Sequence, residues 1–541
     1  MAKKIQSPNK ILPRAWLLLA VLVFGLTLAI RIRLLGIPLE RDEGEYAYAG
    51  QLMLQGIAPY KLAYNMKFPG TYAAYAAIMS IFGETIVGIH LGLLVVNAAT
   101  IVLIFFLGRR LLNSTAGIAA AASYAVLSIS PSVLGLAGHA THFVMLPVVG
   151  GSLLLLNLKQ SDRPAFGRLF GSGLLFGVAL LMKQPAVFFV LFAAIYLLCR
   201  DMRSRLGLKA ILLRNLTFGA GVILPFALTC LVLWSAGVFP QFWFWTVEYA
   251  LQYGSLTSLA KGAEYFRHIG MGVLEAGWAL WALAGFGLFA GLCSKATRAS
   301  TGWMLGLLAC SACALSQGLY FRQHYFILIL PAISLLAGAG INKLSDLAAQ
   351  YTTGVARFIP LFLFGAALGL PLFQERKIFF EASPAEACRI IYKANPFPES
   401  IRIAQYLREH TSPDDTIAIL GSEPQIYFYS HRHSATGYIY TYGLVEKQTY
   451  ALRMQREMIH EISLARPKFI IFVAVDGSWL RMPGSERLIF SWLNEYAEQN
   501  YTLAGLVNLV SPDRTDYYLD EPPKSLPPRL RYSVMIYQRK S

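Results

Sequence analysis

Ile86-Val-Gly-Ile-His-Leu-Gly-Leu-Leu-Val-Val-Asn-Ala-Ala-Thr-Ile-Val-Leu-Ile-Phe-Phe-Leu107 contains no Lys, Arg, Asp or Glu and runs into Gly108-Arg109-Arg110. As a helix rising about 1.5 Å per residue, a run of this kind spans the roughly 30 Å hydrocarbon core of a bilayer. The rest of the chain repeats the pattern. Of 541 residues, 56% are hydrophobic and 14% charged, against about 25% charged in an ordinary soluble domain. A mean hydropathy of +0.49 over that length needs many spans, since one anchor would be diluted by the remainder. A simple soluble enzyme is excluded.

Counting outward from residues 86–107, apolar runs fall at 12–35, 86–107, 114–134, 142–158, 168–182, 184–199, 213–236, 269–293, 300–319, 324–341 and 355–373. The expected fold is a mainly α-helical polytopic membrane protein of about 11 transmembrane helices over residues 1–373. The fifth and sixth runs are short and meet at Lys183-Gln184-Pro185. The first, Ile11 to Ile30, has no small-residue cleavage site and reads as a span, not as a signal peptide.

The net charge of +17 resolves along the chain. Residues 1–373 hold 27 Lys and Arg against 11 Asp and Glu, while residues 374–541 hold 20 against 19. If Lys3, Lys4, Lys10 and Arg14 are cytoplasmic, loops on their side, with Arg109, Arg110, Lys159, Arg163, Arg200 and their like, carry 18 basic residues against nine opposite. This bias is that of a multi-pass protein of the plasma (inner) membrane with a cytoplasmic N-terminus. It removes the case for nucleic acid as a partner. An odd number of spans places residues 374–541 outside the cytoplasm.

That tail has ordinary charge and alternating short patterns. Helices are expected at Ser400–His410, Val445–Ala465 and Glu486–Asn500, strands at Thr416–Leu420, Lys468–Val473 and Tyr532–Gln538, and a loop at Ser511–Pro528. The pattern is that of a small extracytoplasmic α/β domain. Cys388 is alone there and makes no internal disulfide, and Cys310 and Cys313 lie in an apolar run as small packing residues.

Three outer loops carry more chemistry than a connection requires: Gly36 to Gly83, Gly135 to Thr141, and Phe239 to His268. Four of the 11 acids of the membrane half fall within six positions of the first, at Glu40, Asp42, Glu43 and Glu45. Neighbouring carboxylates raise one another's pKa, which suits a general base working near neutral pH on an acceptor hydroxyl. The plainer reading is a solvated helix start, because acids favour the first turn of a helix such as Gly44 to Gln55. Downstream, Lys67 precedes the apolar stretch Phe68–Phe82, which is too short for a span and expected along the interface. Such a lysine binds phosphate as a point charge or simply snorkels.

Arg31-Ile-Arg-Leu-Leu-Gly-Ile-Pro-Leu, then Asp42-Glu43-Gly-Glu-Tyr46-Ala-Tyr with its continuation to Ala-Pro-Tyr60, then Lys67-Phe-Pro-Gly-Thr-Tyr, together resemble the first outer loop of GT-C glycosyltransferases of the protein mannosyltransferase and lipid A aminoarabinose transferase type. Tyr320-Phe-Arg-Gln-His-Tyr325 before Ile-Leu-Pro-Ala is similar to a second family segment. Phe68 departs from the pattern, since many relatives have a proline after the lysine. The resemblance implies a multi-span enzyme that takes a sugar from a polyprenyl-phosphate donor and adds it, with inversion, to a lipid, glycan or protein hydroxyl. It makes Asp42 the general base and Glu43 its partner, orienting the acceptor or a bound divalent cation. Lys67 would hold the donor phosphate, and Arg322 or His324 would stabilise the leaving-group charge.

Lys183, at an expected outer boundary, is a further candidate for the lipid phosphate. His139 and His142 lie three apart at another and suit donor or metal, although two ligands alone make no metal site. Tyr46, Tyr60 and Tyr325 complete the candidate substrate contacts. Gly421-Ser-Glu-Pro-Gln after a strand is a weak phosphate-turn signal. No cofactor is implied with certainty. Among other function classes, a transporter or lipid flippase is the main alternative, but ionisable residues here sit at span ends, with only Glu275 inside one.

Overall fold

The computed structural model describes residues 11–158, 166–521, 523 and 532–540. Lys3, Lys4, Lys10, Lys159 and Arg163 of the charge argument, and part of the 511–528 stretch, lie outside these residues.

Helix occupies every expected span. In chain order the first elements are α1 (Ile11–Arg33), α2 (Arg41–Leu54), α3 (Gly70–Phe82), α4 (Ile86–Leu111), α5 (Ser114–Leu127), α6 (Ala140–Leu156), α7 (Phe166–Met182), α8 (Val187–Arg203) and α9 (Leu208–Ser235). Helices Met271–Ala276, Trp278–Cys293, Arg298–Leu315, Leu330–Tyr351 and Ile359–Gln374 follow. Five described stretches are long and apolar enough to cross a membrane unaided: Arg14–Arg33, Ile86–Leu111, Gln184–Arg203, Leu208–Ser235 and Gly354–Gln374. The chain is a mainly α-helical polytopic membrane protein with a small C-terminal sheet.

The expected single span at 269–293 is broken. Leu259–Ala276 and Trp278–Cys293 meet at 92°, with Gly277 at the break (φ −138°, ψ 25°). A Cβ on Gly277 would stand 2.8 Å from Leu127 Cδ2, so a larger residue at the corner would make that leucine shift. Hydropathy averages across such a corner and cannot see it.

Two compact units divide the chain. The first takes the segment ending at Leu34, Gly92–Leu228 and Thr257–Glu381, and the second takes Leu35–Leu91, Thr229–Leu256 and Ala382 onward. Within the first unit, helices Trp278–Cys293 and Leu330–Tyr351 approach to backbone contact, where a Cβ on Gly287 would lie 2.0 Å from the Leu336 carbonyl oxygen. An ion pair at 2.8 Å between Asp201 and Arg214 ties α8 to α9.

The second unit is built on a five-stranded sheet: β1 (Ile417–Leu420), β2 (Phe469–Ala474), β3 (Tyr501–Ser511), β4 (Arg514–Leu519) and β5 (Ser533–Arg539). Its order is β1-β2-β5-β3-β4. β1 and β2 are parallel, with Ile417 opposite Phe469, and the remaining pairs are antiparallel. Ala418, Leu420 and Ile470 pack with Met454, Met458, Ile462, Ile489 and Leu493 from helices Ala451–Ala465 and Leu488–Asn500. Trp245 and Tyr249 join the same core, which gives the aromatic third loop a packing role. Two expectations need correction. Strand β4 lies where a loop was expected, because Arg514-Thr-Asp-Tyr-Tyr-Leu is rich in β-forming side chains and pairs with β3 across a tight turn. Helix Ala451–Ala465 starts later than Val445, after a separate turn at Tyr442–Val445.

Candidate active site

The acidic cluster opens α2. Glu40 is the N-cap, its Oε1 accepting from the Glu43 amide at 2.9 Å while Glu43 Oε2 accepts from the Glu40 amide at 3.4 Å. This reciprocal capping box satisfies two of the helix's orphan donors. Helical phase then separates the acids. Asp42, Glu45 and Tyr46 stand three and four residues apart on one face, and Glu43 points elsewhere.

Lys67 collects that face. Its Nζ donates to Asp42 Oδ1 at 2.8 Å and to Glu45 Oε2 at 2.6 Å, and it stands 4.6 Å from the Tyr46 ring centroid. Tyr72 donates its hydroxyl to Glu45 Oε1 at 2.6 Å, and Tyr440 donates to Asp42 Oδ1 at 3.2 Å. Tyr60, in the left-handed region at φ 66°, donates to the Lys67 carbonyl at 2.7 Å and so fixes the lysine's backbone. The sequence places Glu45 in the acidic cluster without a role of its own, and Tyr440 is not singled out at all. The i, i+3 spacing of Asp42 and Glu45 was a usable signal for the first, and nothing in the sequence links Tyr440 to Asp42.

Accessibility divides the cluster. The Glu45 side chain is 1% exposed, but those of Asp42 and Lys67 are 15% and 22% exposed, so the open side presents this pair. Burial works against the Lys67 ammonium, yet Asp42 and Glu45 outweigh it and hold the group well above its ordinary range. Burial pushes the Glu45 carboxyl up, with Lys67 opposing and Asp42 assisting. Burial also pushes the Tyr440 phenol up, reinforced by Asp42, which keeps it a hydrogen-bond donor. The arrangement is a carboxylate with its cation in place beside an opening. The cation on these two carboxylates is the ammonium itself.

Glu43 is not brought to Lys67. Its Oε1 lies 3.1 Å from His90 Nε2, and His90 Nδ1 lies 2.8 Å from the Leu35 carbonyl oxygen. Since both outer partners are acceptors, the pair must hold a proton on Nε2 or on the carboxyl. The neighbouring Arg41 turns the other way. Its guanidinium donates to the Ser422 carbonyl at 2.6 Å, to Asn395 at 3.0 Å and to Glu423 at 2.9 Å. The turn Gly421–Gln425 is thus filled by a buried arginine and does not present a phosphate cradle. Gly44 makes this approach possible, because a Cβ there would meet the Gln425 amide nitrogen at 2.5 Å.

The other candidates lie in the first unit, and several come together there. His139, the N-cap of α6, stacks on His324 with centroids 4.0 Å apart. Tyr325 meets His324 edge-on at 4.8 Å, and Lys183 Nζ stands 4.1 Å from the Tyr325 centroid. His142 is buried in the first turn of α6. Arg322 caps the turn Gln323–Leu328, with its guanidinium 5.6 Å from the Tyr320 ring.

Residues 67–229 match the family of dolichyl-phosphate-mannose-protein mannosyltransferases. No curated protein matches the chain in sequence. Among solved structures, ArnT from Cupriavidus metallidurans bound to undecaprenyl phosphate is similar over 98% of both chains, with a TM-score of 0.57 and 14% identity. Its apo state gives 0.58 and 15%, over 97% of this chain and 98% of that one. The archaeal oligosaccharyltransferase AglB from Archaeoglobus fulgidus, in complex with an inhibitory peptide and a dolichol-phosphate, aligns with 96% of this chain and 76% of its own, at a TM-score of 0.52 and 11% identity.

Proposed function

We propose that this chain is a membrane glycosyltransferase of the GT-C type, a reading supported by the family match and the similar folds, and that it moves a sugar from a polyprenyl-phosphate donor to a lipid, glycan or protein hydroxyl on the extracytoplasmic side. The observation that carries the reading is the Asp42–Lys67 pair at 2.8 Å on the open side of an otherwise buried cluster. Undecaprenyl phosphate and dolichol-phosphate in the similar structures support the donor class.

In this reading the donor phosphate takes the Lys67 ammonium and releases Asp42. The Asp42 carboxylate accepts the acceptor's O–H proton as its oxygen attacks the anomeric carbon opposite the phosphate. The bond from carbon to phosphate oxygen breaks, its electron pair leaves with the lipid phosphate, and the configuration inverts. Lys67 screens the leaving charge, where a preformed cation acts without reorganisation. Glu45, Tyr72 and Tyr440 position Lys67 and Asp42, and Glu43 positions α2 through its cap. Lys183, Arg322 and His324 are assigned to donor phosphate on charge type alone, and Tyr46, Tyr325, His139 and His142 to substrate contact.

The test is transfer of label from radiolabelled undecaprenyl-phosphate and dolichyl-phosphate sugars into membrane fractions, with wild type beside Asp42→Asn. Label entering an acceptor only with wild type supports the reading, and the acceptor's solubility separates lipid from protein. Sugar-lipid crossing the membrane without transfer, by a folded protein, would overturn it in favour of a flippase, the class that broken helices such as Leu259–Cys293 otherwise suit.

A further inference from the structure

Helices α1, α4 and α5 enclose a cleft of about 430 Å3 within the first unit. Its wall is apolar, with Leu17, Phe24, Ile101 and Phe105 among the lining side chains. Leu17 is 58% exposed and Leu28 45% exposed, so the cleft opens on the side that a span turns to lipid. From Leu17 to Arg31 along α1 it runs about 21 Å at 1.5 Å per residue. That exceeds the roughly 15 Å filled by the chains of one leaflet, half of the hydrocarbon core.

The far end is polar. Arg31, Asn97 and Thr27 line it, at 6%, 3% and 4% exposure. Arg31 donates from one terminal nitrogen to the carbonyls of Ser128 at 3.0 Å and Gly135 at 3.2 Å. Both partners are neutral. Its Nε is buried without a hydrogen-bond partner, and among the described residues no carboxylate pairs with it. A guanidinium keeps its charge at any physiological pH, and a buried charge without a counter-ion is costly. An anion arriving with an apolar tail supplies both missing parts, a counter-ion for Arg31 and a filling for the cleft.

We propose that this cleft binds an anionic membrane phospholipid, with its phosphate on Arg31 and one acyl chain laid along α1 and α4. Lipid binding here does not depend on the sugar-transfer chemistry.

The test uses the full chain in detergent micelles, supplemented with phosphatidylglycerol, phosphatidylcholine or undecaprenyl phosphate, and reads the retained lipid mass by native mass spectrometry. Phosphatidylglycerol should be retained about tenfold over phosphatidylcholine, the scale of one charge-assisted contact. Arg31→Gln, which keeps a donor for the Ser128 carbonyl, should abolish that preference. Because Arg31 also braces α5, Ala98→Phe provides a second arm. It fills the cleft from an exposed lining position, and it should expel the lipid while sugar transfer continues. Equal retention of the two phospholipids, or retention unaffected by Ala98→Phe, would overturn the proposal. So would displacement of phosphatidylglycerol by an equal concentration of undecaprenyl phosphate, which would make the cleft a carrier-lipid site.

Discussion

Cations keep different company in the two units. In the first loop, Lys67 rests on two carboxylates at 2.8 and 2.6 Å. In the other unit, Lys183 and Arg322 lie over the rings of Tyr325 and Tyr320 at 4.1 and 5.6 Å. A carboxylate in a shielded site holds an ammonium by Coulomb attraction in a low dielectric, whereas a ring face contributes about 0.5 to 2 kcal/mol. An incoming phosphate must therefore compete with two anions for Lys67. The contrast is between an ammonium bracketed by two carboxylates and two cations that each face a tyrosine ring.

The contrast breaks first at Asp42. Asp42→Asn keeps the shape and removes the base, so transfer should fall by about 10²- to 10⁴-fold, the usual worth of general base catalysis. Donor affinity, measured by binding of the labelled polyprenyl-phosphate sugar, should hold. If transfer survives, the carboxylate is a structural counter-ion of Lys67 and no more. Next in size is the buried pair behind it. Arg41→Met leaves Glu423, whose side chain is fully buried, without its cation and should cost about 3 to 5 kcal/mol in thermal or denaturant unfolding. Replacing Glu423 by Met as well should recover much of that loss, because the penalty is an uncompensated charge.

The same physics explains what the sequence made legible. Apolar runs locate the helices because a span must be apolar along its length, and Asp42, Lys67 and Tyr46 stood out as polar groups crowded beside such runs. Placing the helix start at Gly44, not at Arg41, hid the phase that pairs Asp42 with Glu45 and sends Glu43 to His90. Tyr440 was out of reach, since its contact with Asp42 joins positions 398 residues apart. The corner at Gly277 and strand β4 were obscured differently, one by averaging hydropathy and the other by an Asp-rich flank that outweighed its β-forming residues. Helix Pro384–Tyr392 had its own marker in the capping box Ser383-Pro-Ala-Glu386, an S-x-x-E pattern read in hindsight.

Two lysine variants sharpen the comparison further. Lys67→Met should weaken donor binding about 10- to 100-fold, one to two charge-assisted contacts. Lys183→Gln should weaken it only about threefold, because the phosphate loses one point charge while Lys67 stays in place. Equal losses would mean that both lysines serve the phosphate alike and that the carboxylates around Lys67 make no difference to its role.

The smallest effect is a flat line. Burial would lower the Lys67 pKa, but Asp42 and Glu45 raise it well above the ordinary 10.5. For a lysine with a raised folded value, the stabilisation is whole below the unfolded pKa and is lost only as pH rises through the higher folded one. Neutral and mildly alkaline solutions lie below both values. The donor is a phosphodiester and does not titrate there either. Donor affinity should therefore change by less than about twofold between about pH 7 and 9, measured by equilibrium binding to Asp42→Asn so that turnover does not intervene. That variant keeps Glu45 beside the lysine, so Glu45 alone should still hold the ammonium charged. A decline with its midpoint inside that window would mean that one carboxylate is not enough and that Asp42 is what keeps Lys67 protonated.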